Sequence, residues 1–133
     1  IVNEKNLNNL TLLPFQPFEK FRDIAAAPDI SLIILKKGAG KASMPSKLQT
    51  ALSAGCAIIA SVENESDLAL IINKNNCGVV VPPNNSESIV NSILYLKQNK
   101  TELSVIKKCS RNTALAFYDK KIQMKKYSKL FNN

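Results

Sequence analysis

The 133 residues include no histidine, no tryptophan and only four glycines. Without histidine the usual general base at neutral pH is missing, which excludes a Ser–His or Cys–His nucleophilic mechanism within this chain. A zinc site would have to be assembled from scattered thiolates and carboxylates, because Cys56, Cys77 and Cys109 are odd in number and form no CxxC pair. The three read as buried free thiols of a reducing compartment. No apolar run approaches the roughly 20 residues needed to span a bilayer, and no secretory leader is evident. The chain opens on Ile1 rather than methionine, so a fragment of something longer is expected.

What is present is the composition of an ordinary globular domain, 45% apolar and 21% charged. One domain over 1–133 is expected, with room for a proper core. The net charge of +8 is unevenly placed: residues 97–133 carry ten basic and two acidic side chains, whereas residues 1–96 are balanced. The excess therefore belongs to the last two helical segments. There Lys107, Lys108, Arg111, Lys120, Lys121, Lys125, Lys126 and Lys129 alternate with Ile106, Leu115, Phe117, Ile122, Tyr127, Leu130 and Phe131. A solvated helix surface is the plain reading. Attraction to anionic lipid headgroups is the functional one, worth about 1 kcal/mol per basic residue near the surface. Nucleic acid is not expected as a partner, with three tyrosines, no tryptophan and no binding motif.

The hydrophobic pattern alternates between strands and helices. Leu10–Leu13 reads as a short strand stopped by Pro14, and 18–27 as a helix broken by Pro28-Asp29. Ile30–Leu35 and Ala57–Ala60 read as buried strands, and Gly78–Val81 as a fourth, closed by Pro82-Pro83. Between them lie helices capped by Ser46 with Gln49, by Asn64 with Asp67, and by Asn84 with Glu87. Thr101 and Asp119 cap the last two. The expected fold class is α/β, a Rossmann-like parallel sheet flanked by helices, with right-handed crossovers.

The stretch from Gly38 to Ser61 concentrates the functional signal. A loop leaves the carboxyl end of a strand and enters a helix at Ser46, and Gly55 and a buried strand follow. Lys47 in the first helical turn sets a cation at the positive end of the helix dipole, which is wasteful unless an anion is shared between them. A phosphate held by first-turn amides and the ammonium would be such an anion. The GAGK run is not a P-loop: the positions that need a glycine and a Ser or Thr are Leu35 and Ala42. Gly38-Ala39-Gly40 has Ser43 where a dinucleotide fingerprint needs its third glycine.

MPSKLQTALSAGCAIIAS, residues 44–61, resembles the donor-binding motif of family 4 glycosyltransferases of the two-domain GT-B type, closest to the branch that builds surface and capsular polysaccharides. The resemblance runs from about Leu10 to Phe131. It implies a carboxyl-terminal domain that binds a nucleoside diphosphate sugar and transfers the sugar to a hydroxyl acceptor with retention of configuration. No metal or cofactor is implied. Gly38, Gly40, Met44, Pro45, Ser46, Lys47 and Thr50 become the donor-binding candidates, with Phe15 and Gln16 beside the nucleobase; for Phe15 and Phe18, a plain core role is the competing reading. No catalytic residue is assigned. The family's two motif glutamates fall on Ala42 and Thr50, of which Thr50 keeps a hydroxyl. The resemblance also implies an amino-terminal acceptor domain and earlier strands preceding Ile1, a sugar or lipid-linked acceptor met through that domain, and a fragment inactive alone. The location implied is cytoplasmic, at the inner face of the plasma membrane. The competing readings are a nucleotide-sugar epimerase of the same fold and a non-catalytic binding or scaffold domain.

Overall fold

The structure is a computed structural model that describes residues 7–38 and 44–131. Its centre is β2 (Ala57–Ser61), in which all five residues are buried. β2 pairs in parallel with β1 (Ile30–Ile34) on one side and β3 (Gly78–Val81) on the other. A strand flanked by neighbours at both edges and covered on both faces tolerates an unbroken apolar run, and Ala-Ile-Ile-Ala supplies one.

Each strand is followed by its helix: α2 (Ser46–Ala54), α3 (Asp67–Asn75) and α4 (Ser86–Gln98). A 3-10 turn at Phe18–Lys20 and α1 (Phe21–Ala26) precede β1, and α5 (Lys100–Phe117) and α6 (Lys120–Phe131) complete the chain. On one face of the sheet Ile33, Ile58, Ala60 and Val62 pack with Leu48 and Leu52 of α2 and with Leu68 and Ile72 of α3. On the other, Ala57, Ile59 and Val81 pack with Leu96 of α4 and with Leu103 and Ile106 of α5. Among the described residues the protein is thus α/β, a three-stranded parallel sheet between helical layers.

α5 crosses the amino ends of the strands. Lys107 meets Asp29, just before β1, at 2.6 Å. The Ser110 hydroxyl donates to the Cys77 carbonyl, just before β3, at 3.0 Å. Arg111 donates to the Ser53 carbonyl at the end of α2, at 2.7 Å. This closes the amino edge of the sheet and leaves its carboxyl edge as the place where loops can gather.

Gly55 ends α2 in the left-handed conformation (φ 70°), as the sequence predicts, and Asn76 (φ 50°) does the same for α3. Three expectations are corrected. Leu10–Leu13 forms no strand: among the described residues the sheet has three strands, and residues 7–14 are exposed. Four apolar residues ahead of a proline have no ladder to join, and without one their periodicity decides nothing. β1 is only partly buried, with Leu32 42% and Ile34 61% exposed, because it lies at the edge and Ile30 is its contact with the core on the α4–α5 side. Phe15 and Phe18 do not fill core; they are 100% and 87% exposed.

Cys56 and Cys77 are buried, whereas Cys109 is only half-buried. The Cys56 thiol donates to the Pro28 carbonyl at 3.3 Å, and burial raises its pKa. Burial pushes Cys77 up to about 11. A thiol whose folded pKa is raised contributes stability that is intact below its unfolded value, about 9, and is lost as pH rises toward about 11. Tyr118, raised chiefly by burial, adds in the same direction. Two results are expected. A thiol reagent should modify Cys109 in the native protein and reach Cys56 and Cys77 only on unfolding. Urea midpoints should fall through that alkaline window, and Cys77→Ala should flatten the fall.

Candidate functional site

Because α2, α3 and α4 each follow a parallel strand, all three begin at the carboxyl edge of the sheet. Their starts are built differently. Ser66 caps α3, its hydroxyl accepting the Ala69 amide at 3.2 Å, and Asp67 supplies a negative charge in the first turn. Asn85 caps α4 by accepting the Ser88 amide at 2.9 Å, with Glu87 in the first turn. α2 has neither feature: its cap residue is Pro45, no side chain bonds its first turn among the described residues, and no acidic side chain lies there. The Pro45 carbonyl takes the Leu48 amide at 3.0 Å.

The capping box drawn from Ser46 and Gln49 is therefore corrected. Pro45 is extended (φ −69°, ψ 131°), so the helix begins one residue later than a Ser46 cap requires, and Ser46 is already inside it. A residue with helical dihedrals cannot aim its hydroxyl at the third amide as an extended cap residue does. The boxes at Asn64 and Asn84 shift similarly, to Ser66 and Asn85. α5 starts after Asn99 without a side-chain cap, ahead of Thr101. Asp119 does cap α6, its carboxylate accepting the Lys121 and Ile122 amides at 2.8 and 3.2 Å.

The open start of α2 is accessible. Met44 is 38% exposed, Pro45 is half-buried, and Ser46 and Lys47 are exposed, so among the described residues no packed side chains plug this end. The positive pole of the α2 dipole lies in the turn that contains Lys47, and a cation in that turn suits an anion, while the Lys47 side chain lines the recess between α1, β1 and α2. The neighbouring loops are fastened to one another. Gly38, at φ 85°, donates its amide to Glu63 Oε1, joining the loop after β1 to the loop after β2. The Ser61 hydroxyl donates to the Pro82 carbonyl at 3.3 Å, joining the end of β2 to the loop after β3. Glu63 was not singled out from sequence. Its signal was positional: it lies two residues beyond a buried parallel strand, at the edge where such sheets bind ligands.

The other predicted residues are distributed as follows. Lys47 and Thr50 share a recess of about 200 Å³ between α1, β1 and α2, lined also by Phe21, Ser31 and Cys56. Thr50 lines a larger open groove of about 670 Å³ as well, with Gln49, Ser53 and the chain's two arginines, Arg22 and Arg111. Phe15 and Gln16 lie in a separate recess of about 350 Å³ with Leu13, Phe18 and Ile24, and Gln16 donates back to the Pro14 carbonyl at 2.9 Å. Lys47 does not line that recess; Phe21 is the residue common to all three hollows. Gly40 and Ala42 lie outside the described residues.

Comparison with protein-family models, with curated proteins and with solved structures finds no match.

Proposed function

We propose that the chain is the nucleotide-sugar-binding domain of a family 4, GT-B glycosyltransferase of surface-polysaccharide synthesis. One observation carries the reading. Of the three helices that begin at the carboxyl edge of the sheet, α2 alone lacks both a side-chain cap and a first-turn acid, and it holds Lys47 there instead. That is the arrangement by which first-turn amides and an ammonium bind a diphosphate.

In this reading the diphosphate of the donor lies against Ser46 and Lys47. As the bond from the anomeric carbon to the diphosphate oxygen breaks, negative charge grows on the departing group. The amides and the ammonium stabilise that charge without reorganising, which is the electrostatic form of catalysis. Thr50, one turn further along the helix, offers a hydroxyl to the donor. The acceptor would be met by a second domain, so residues 1–133 alone are expected to bind a donor without turning it over.

Titration calorimetry with nucleoside diphosphates, free nucleosides and inorganic diphosphate tests the reading. Binding of a nucleoside diphosphate more tightly than of its nucleoside is the expected result. Absence of any diphosphate binding by the folded protein would leave a scaffold role instead. Release of an epimerised sugar nucleotide without an acceptor would make the protein an epimerase.

A further inference from the structure

The chain has only two arginines, Arg22 and Arg111, against sixteen lysines. They lie on α1 and α5, far apart in sequence, yet both line the groove of about 670 Å³ between α1 and α2. Among the described residues that line it, none is acidic. Arg22 makes no hydrogen bond or ion pair among the described residues. Arg111 uses one nitrogen on the Ser53 carbonyl, at 2.7 Å, and a guanidinium has further N–H groups to give. The hydroxyls beside them are free as well. Inside a helix such a hydroxyl often turns back to the carbonyl four residues earlier, as Ser92 does to Ser88 and Thr113 to Cys109, both at 2.8 Å. Thr50 and Ser53 line the groove and make no such bond among the described residues. Ala25, Ala26 and Ala54 add little bulk to the groove, and Phe21, 52% exposed, is the aromatic ring that lines it.

We propose that this groove binds a carboxylate or a phosphate monoester carried on a flat apolar body, with the anion on the forks of Arg22 and Arg111 and the body against Phe21. Where a surface needs charge alone, lysine serves, and this chain uses lysine almost everywhere. A guanidinium differs in its planar fork, which gives two parallel N–H bonds to two oxygens of one anion. Two such forks on one groove with no acid among the lining residues repel each other, and an anion shared between them turns that repulsion into attraction. The Thr50 and Ser53 hydroxyls can supply further donors to the same oxygens. The inference does not rest on the nucleotide-sugar reading, because Lys47 does not line this groove.

The test is an amide chemical-shift titration of the full chain with benzoate, phenyl phosphate, inorganic phosphate and phenol. At least one aryl anion should shift Ala25, Ala26 and Ala54 with a dissociation constant of roughly one millimolar or below. The tighter of the two tells carboxylate from phosphate. Inorganic phosphate should bind more weakly than phenyl phosphate, and phenol should leave the three alanines unmoved. Arg22→Lys keeps the charge and removes the fork, so it should weaken the aryl anion about ten-fold. Because Arg22 bonds no described residue, the urea midpoint of that variant should match the parent. Phe21→Ala should weaken phenyl phosphate about five-fold and leave inorganic phosphate unchanged. Lys47→Ala should not alter the shifts at the three alanines, which separates this groove from the start of α2. Absence of shifts at the alanines with both aryl anions, equal binding of phenol, or full affinity in the Arg22→Lys variant would overturn the proposal. So would shifts confined to Ser46 and Lys47 and abolished by Lys47→Ala, which would assign the anion to the start of α2.

Discussion

Gly78→Ala should cost more than about 4 kcal/mol of stability, beyond the range of ordinary point substitutions. Gly78 opens β3 and faces Ile58 of the central strand. A Cβ at position 78 would lie 2.0 Å from the Ile58 carbonyl oxygen and 2.8 Å from its carbon. Both are backbone atoms, so no rotamer change relieves the overlap. β2 cannot retreat, because β1 holds its other edge and all five of its residues are buried. β3 is held too, since the preceding Cys77 carbonyl accepts from the Ile58 amide at 3.1 Å and from the Ser110 hydroxyl at 3.0 Å. The control is Gly55→Ala. There the nearest atoms stand at 3.7 and 3.8 Å, and the cost is only that of a left-handed alanine, about 1–2 kcal/mol. Urea denaturation of the two variants should separate them widely. Equal losses would mean that β2 and β3 do not approach as closely as this register requires.

The same contrast explains what was legible in the sequence. Gly55 announced itself, because a glycine after an apolar helical run and before an apolar strand is a helix terminator by local rules. Gly78 did not, because its role depends on a strand twenty residues earlier in the chain. The strands at 30–34, 57–61 and 78–81 were readable as apolar runs of strand length between turn residues. Leu10–Leu13 has the same local look and forms no strand, and the difference is whether a partner edge is supplied. Burial of β1 failed for the related reason that an apolar run cannot tell a central strand from an edge one. Helix starts were wrong by one or two residues wherever two candidate caps adjoin, as at Asn64 and Ser66 or Asn84 and Asn85. At the candidate site the sequence located the start of α2 and the cation in it. It placed a cap where Pro45 prevents one. Phe15 and Gln16 were not gathered with Lys47, since a loop's position in the chain does not say which way it folds back.

Lys47→Ala should weaken nucleoside diphosphate binding by roughly ten- to a hundred-fold, since a hydrogen bond to a charged group contributes about 1.5–3 kcal/mol. Binding of the free nucleoside should hardly change, because the ammonium is assigned to the phosphates alone. Lys74→Ala, at the opposite end of α3, should affect neither. A loss shared equally by nucleoside and diphosphate would remove Lys47 from the phosphate role. Ser46→Asp asks the sharper question, because the proposal makes stability and affinity move in opposite directions. An aspartate in the first turn of α2 faces the positive end of the dipole and should raise stability by about 0.3–1 kcal/mol. The same carboxylate would stand where the diphosphate is proposed to lie, and like-charge repulsion should suppress its binding. A start left without cap or acid merely by chance would gain stability and lose nothing. A start kept open for an anion would gain stability and lose its ligand.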